Sequence, residues 1–414
     1  MQYLILIYPL YFLLHYSCNK RLIKSQLTCL ALWLLFFGSS IAAVYLVFTE
    51  DIYKRTFFGV LSIIYNCWMF SVLLKTNEKL CLLNRKYIVD SHPMILSFTT
   101  FLVIVLGVPS FFYTISSIDV ASFSANIITM RQELGESGSD SGIMGYLTYF
   151  SKSYWLLSLS LAFYYIIKYP HKKIIIALLF LSSLSRVVYG LSHAGRGDVL
   201  VYFLVMLMMF LLLCGKMSNK SINTFKVLGL SIGGFLFSVF ILISVVRFGV
   251  GNSFYSGSDS TAFESIIRYY GLGFTKFSQE FNAFWLGVDG GACHFPFFVG
   301  HSVSALNAEE RVTVDFGLNT FSTSIGGLVF DIGAFFTVVF IYSWYYFARW
   351  LLRRPLNVFT LFYAAWLYSY LVESIFYFSD IFTGARVMSL LFIFLLDLLN
   401  SSLVSRKTIL YNKI

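Results

Sequence analysis

A chain of 414 residues, 58% hydrophobic and only 12% charged, carries about half the charged share of a soluble domain, and its mean hydropathy of +0.76 excludes an ordinary soluble globule. The formal charge of +10 does not point to nucleic acid, because Lys and Arg fall in short clusters between apolar runs and not in one stripe or tail. Aromatic residues reach 19%, more than a soluble core needs but welcome on lipid-facing and interfacial surfaces.

The apolar runs recur from end to end, roughly 17–25 residues at a time and nearly free of charge, the length that crosses a bilayer as a helix. In chain order they predict spans at about 1–17, 26–48, 56–74, 94–115, 146–167, 173–190, 199–214, 224–246, 323–347, 357–378 and 386–402. Helices are expected because lipid leaves no partner for unpaired backbone groups, and no alternating strand pattern is visible. The first run, Met1 to Tyr16, lacks a basic leader and a small-residue cleavage site, so it is expected to be a retained span. The expectation is an all-α, polytopic bundle of about eleven spans, with residues 1–414 forming a single integral membrane domain.

The connections sort by charge. Nineteen of the thirty basic residues, mostly lysine, lie in every second connection: around Lys20–Lys24, Lys75–Lys86, Lys168–Lys173, Lys216–Lys226, Arg349–Arg354 and Arg406–Lys413. By the positive-inside rule these face the cytoplasm, which puts the N-terminus outside and the C-terminus inside. Two longer connections then lie outside, at about 116–145 and 248–322. The first is polar and Gly/Ser-rich; the second mixes aromatics with charge and is long enough to be functional. No internal repeat and no CxxC pair is present. On this topology Cys293 is the only one of the six cysteines outside, so an outer disulfide is not expected.

The remaining basic residues are mostly arginine: Arg55, Arg131, Arg186, Arg196, Arg247, Arg268, Arg311 and Arg386, against Lys54, Lys152 and Lys276. Arginine keeps its charge in apolar surroundings and grips phosphate oxygens with a planar fork. Arg186 lies inside an apolar run, where a charge costs roughly 2.5–3.5 kcal/mol at mid-membrane. It either snorkels to the headgroups or contacts an anion. The turn Ser192-His193-Ala194-Gly195-Arg196-Gly197-Asp198 follows, its glycines allowing close backbone approach. Arg247 ends the eighth span and Arg268 lies in an aromatic outer stretch. Each arginine alone is an ordinary interfacial anchor, but several on one face repel unless an anion neutralises them. Acidic candidates are Glu50, Asp51, Asp198, Asp259, Glu264, Glu280, Asp289, Asp315, Asp331 and Glu373. Asp331 lies within a span, where a carboxylate is either functional or paired, with Arg386 as a structural partner. His193 is a candidate general base, or merely an exposed loop residue. No metal-ligand spacing and no cofactor motif is found.

These segments resemble the oligosaccharide repeat-unit polymerases of bacterial surface-glycan assembly, the O-antigen polymerase type. The resemblance rests on the Gly195-Arg196-Gly197 turn, on Arg186 and Gly197 in an Arg-x10-Gly pattern, and on the long outer loop. It rests also on Asn319-Thr320 followed by Asp331-Ile332-Gly333, where Ile332 replaces the family's usual aromatic. It implies polymerisation of polyprenyl-pyrophosphate-linked units on the outer face of the bacterial inner membrane, beside a flippase and a chain-length regulator. On that reading Arg186, Arg196, Arg247 and Arg268 bind pyrophosphate and Asn319 contacts substrate. His193 or a carboxylate takes the acceptor proton, and Asp331 orients a catalytic group. The alternatives are another polyprenyl-lipid glycosyltransferase or a glycan ligase, and, in a different class, a flippase or transporter.

Overall fold

A computed structural model describes residues 2–49, 59–116, 143–192, 196–227, 323–375 and 384–411. It also describes 234, 238, 267, 270–277, 281 and 285–287; for 143–152, 192, 196, 324, 384–385 and 405–411 it describes the backbone only. In chain order the main helices are α1 (Ile7–Ser25), α2 (Leu27–Thr49), α3 (Val60–Cys81), α4 (Pro93–Ser116), α5 (Ile143–Lys168) and α6 (Lys173–Ser183). They continue with α7 (Ser185–Ser192), α8 (Arg196–Leu213), α9 (Ser324–Arg353), α10 (Val358–Glu373) and α11 (Gly384–Tyr411). Among the described residues there is no strand, only an isolated bridge between Ile88 and Leu356.

Among the described residues, six helical segments are long and apolar enough to cross a membrane: Leu27–Thr49, Pro93–Ser116, Lys173–Leu191, Gly197–Lys216, Ile325–Arg353 and Arg386–Val404, with Val358–Glu373 a shorter apolar helix. The protein is an all-helical, multi-pass membrane protein. Helices also stand where the first, third and fifth spans are expected. Most of the eighth span, at 224–246, lies outside the described residues, as does the 116–145 connection apart from its ends.

The chain forms two compact units. Unit 1 comprises 1–83, 253–353 and 367–384; unit 2 comprises 84–252, 354–366 and 385–414. In unit 1, aromatic side chains of α1, α2 and α3 converge on Phe274. Its ring lies 4.8 Å from Tyr8 and 5.1 Å from Phe70, and Phe36 packs edge-on against Phe70. Such pairs add ~0.5–1.5 kcal/mol beyond the area they bury. Part of the segment read from sequence as an outer connection thus enters the unit's core: 270–277 is helical, with Phe274 and Phe277 fully buried. Gly271 permits this, since a Cβ there would stand 2.6 Å from the α2 backbone at Ala42.

Helix α9 is broken at Gly333, whose φ of 80° and ψ of 163° leave the helical region. Ala334 N–H donates instead to the Trp285 carbonyl at 2.8 Å, and the Tyr65 hydroxyl donates to the Ala334 carbonyl at 2.7 Å. Gly287 also has positive φ (84°) and sits directly on Gly333. Two glycines, each able to adopt that backbone at no steric cost, let the 285–287 turn dock into the break.

In unit 2, α4, α5 and α6 meet through small polar residues. Ser182 donates to the Val103 carbonyl at 3.0 Å and shares a 3.0 Å hydrogen bond with Ser158, while Gly107 leaves room for the Ser182 side chain. Close approach through small residues is how membrane helices associate where lipid removes the hydrophobic drive. At one end of the unit, Lys216 donates to the carbonyls of Asn84 and Lys86, and Lys86 donates to that of Arg354. Partial burial lowers the Lys86 pKa from its ordinary value. Arg354 in turn is paired with buried Asp397.

Candidate functional site

The span that carries Arg186 is not continuous. Helix α6 ends at Ser183, Leu184 forms a turn, and α7 begins at Ser185. No proline or glycine marks the break; the local sequence is Ser182-Ser183-Leu184-Ser185-Arg186. Serine hydroxyls compete for backbone partners and loosen a helix. Ser182 and Ser183 find partners of their own, Ser183 sharing a 2.7 Å hydrogen bond with the Tyr202 hydroxyl of α8. Ser185 is buried, and its hydroxyl has no partner among the described residues.

Arg186 follows at once. Its side chain is only 8% exposed, and Nη2 forms an ion pair with Oδ1 of Asp198, whose side chain is 24% exposed. Asp198 stands in the first turn of α8, where the helix dipole favours a carboxylate. Helix α7 ends at Ser192 and α8 begins at Arg196, so the pair joins two helices that are close neighbours in sequence. Arg186 Nε and Nη1 are buried with no hydrogen-bond acceptor among the described residues. Arginine has five N–H donors and cannot shed its proton, so among the described residues the pair with Asp198 leaves most of its donor capacity unspent. Each unmade hydrogen bond of this kind costs ~1–3 kcal/mol, more for a charged group.

Asp331 belongs to unit 1. It is fully buried, two residues before the break at Gly333, and the 285–287 turn packs on the backbone beside it. Of the other residues expected from sequence, Arg196 is the first residue of α8, with its backbone alone described. His193, Arg247, Arg268 and Asn319 lie outside the described residues. Arg386, raised as a structural partner for Asp331, belongs to unit 2. Sequence reasoning counted Asp198 among the acidic residues but gave it no role. The signal was present: opposite charges flanking a short Gly-bearing turn between two apolar runs. Among the described residues, no three His, Cys, Asp or Glu side chains gather as a metal set.

The helices and this site define a multi-pass membrane protein with a buried guanidinium at a broken helix. No family model, no curated protein and no solved structure matches the chain.

Proposed function

We propose that the protein polymerises polyprenyl-pyrophosphate-linked oligosaccharide repeat units into a bacterial surface polysaccharide. It would act as a glycosyltransferase on the extracytoplasmic face of the inner membrane, with about eleven spans, the N-terminus outside and the C-terminus cytoplasmic. The observation that carries this is Arg186, a guanidinium buried in an apolar helix with Nε and Nη1 unanswered among the described residues. A lipid-linked pyrophosphate lies in the membrane, is multiply anionic, and gathers charge as it leaves the sugar. A fixed cation placed where that charge develops lowers the barrier without a metal. The sugar C1–O bond breaks with its electron pair going to pyrophosphate, the acceptor oxygen bonds to C1, and its proton passes to a base, for which His193 or an outer carboxylate is available. Arg196, Arg247 and Arg268 would share the pyrophosphate, Asn319 would contact substrate, and Asp331 would orient a reacting group. A flippase and a chain-length regulator are the expected partners.

A second reading, a transporter of the same lipid-linked unit, draws on the two interrupted helices at Leu184 and Gly333, since broken spans are frequent at transport sites. One experiment separates the two. Purified protein in liposomes is given a lipid-linked repeat unit, and products are run on a gel while transbilayer movement is followed in parallel. The polymerase reading expects a ladder from wild type, reduced at least tenfold in Arg186→Lys, which keeps the charge but loses the fork. Movement of the unit without a ladder favours transport and overturns polymerisation.

A further inference from the structure

Arg186 and Ser185 are adjacent, both buried, and both hold donors without acceptors among the described residues, at a place where the helix is interrupted. The orphaned donors call for an acceptor that the described residues do not provide. The acceptor that Arg186 has among the described residues, Asp198, is the more exposed partner. It reaches the guanidinium from the first turn of a different helix, so it can withdraw without disturbing α7. A second anion on Arg186 is opposed while Asp198 stays, because two like charges beside one guanidinium repel in poorly solvated surroundings.

We propose that Asp198 is a displaceable counter-ion: it neutralises Arg186 while the site is empty and gives way when a pyrophosphoryl group arrives, which then takes the Arg186 fork and the Ser185 hydroxyl. This rests on the reading of Arg186 as a pyrophosphate contact and adds how the empty site is held. Asp198 is a positioning residue. It keeps a buried cation from standing uncompensated, and it makes occupation depend on an exchange, so only a ligand that binds Arg186 better than the carboxylate enters. A phosphoryl group has the advantage of more charge and more acceptor oxygens.

The test uses the full chain in neutral-lipid nanodiscs, with inorganic pyrophosphate as probe and Tm and binding as readouts. Asp198→Asn should lower the Tm, since one member of a buried pair is gone. Pyrophosphate should restore that Tm and bind roughly tenfold more tightly than to wild type, because the competitor has been removed. Arg186→Gln should show no pyrophosphate-dependent rise in Tm, and Arg186→Gln with Asp198→Asn should recover stability with no anion present. Unchanged affinity in Asp198→Asn, or an equal rise in Arg186→Gln, overturns the proposal. If Asp198→Asn fails to accumulate, wild type against Arg186→Gln decides: pyrophosphate must raise the Tm of the first and not of the second. Nanodiscs containing phosphatidylglycerol form a further arm. Restoration by that headgroup and not by pyrophosphate overturns the assignment of the ligand. A protein that passes these tests and makes no polymer keeps the exchange site and loses the polymerase reading. One that polymerises but fails them does the reverse.

Discussion

A β-carbon at position 333 would meet the Leu286 carbonyl oxygen at 2.5 Å, and the backbone there has a φ that L side chains rarely adopt. Gly333→Ala therefore faces two costs, strain in the backbone and displacement of the docked turn. Strain alone is worth ~1–3 kcal/mol. Thermal unfolding in detergent should show a drop of several degrees, with Gly287→Ala, at φ 84° against the same backbone, behaving similarly. An unchanged Tm in both variants would mean that the turn is not seated on the break. At this scale the sequence was only partly legible. Asp331-Ile332-Gly333 was visible as a motif, but a lone glycine in an apolar run is common in membrane helices and does not announce a positive φ. The Arg186–Asp198 pair was signalled only by opposite charges close together in sequence, a signal too weak to choose among several outer carboxylates.

Among the elements, the contact of α4 with α6 is decided by Gly107 and Ser182. A Cβ at Gly107 would overlap the Ser182 hydroxyl at 1.7 Å, so Gly107→Ala forces the helices apart or expels the side chain that ties α4 to α5. We expect Gly107→Ala to lower Tm and Ser182→Gly to lower it less. Joining the two should recover much of the loss, because the second change clears the space that the first requires. Simple additivity of the two losses would remove this contact from the account. The positions of the apolar helices were readable from hydropathy, since lipid demands length and apolarity and little else. Their interruptions were not. The break at Leu184 follows a serine cluster without proline or glycine, and the helical 270–277 stretch sits in a segment whose polarity and aromatic content resemble a surface loop.

For the whole molecule, the alternating basic clusters make an orientation testable without knowledge of the substrate. Single cysteines at Ser139 and Ser258, on a background without native cysteines, should react with an impermeant thiol reagent in intact cells, whereas one at Ser218 should react only after permeabilisation. Labelling at Ser218 with protection of the other two would invert the topology and place Arg186 near the wrong face for an extracytoplasmic reaction.

The burial of Phe274 against Tyr8, Phe12 and Phe70 has a bearing on biogenesis. The first three helices of unit 1 leave the ribosome early, yet the aromatic side chain that fills the space among them is encoded roughly 190 residues after Leu83, behind a long stretch belonging to unit 2. At ordinary elongation rates of about 5–20 residues per second, that is a delay of roughly 10–40 seconds. During that interval the newborn α1–α3 cluster lacks its central plug and has lipid, or an insertase, as its neighbour. Maturation of the N-terminal helices is therefore tied to late synthesis, so a nonsense mutation near codon 250 should leave them as quality-control substrates even though every residue of α1–α3 has been made.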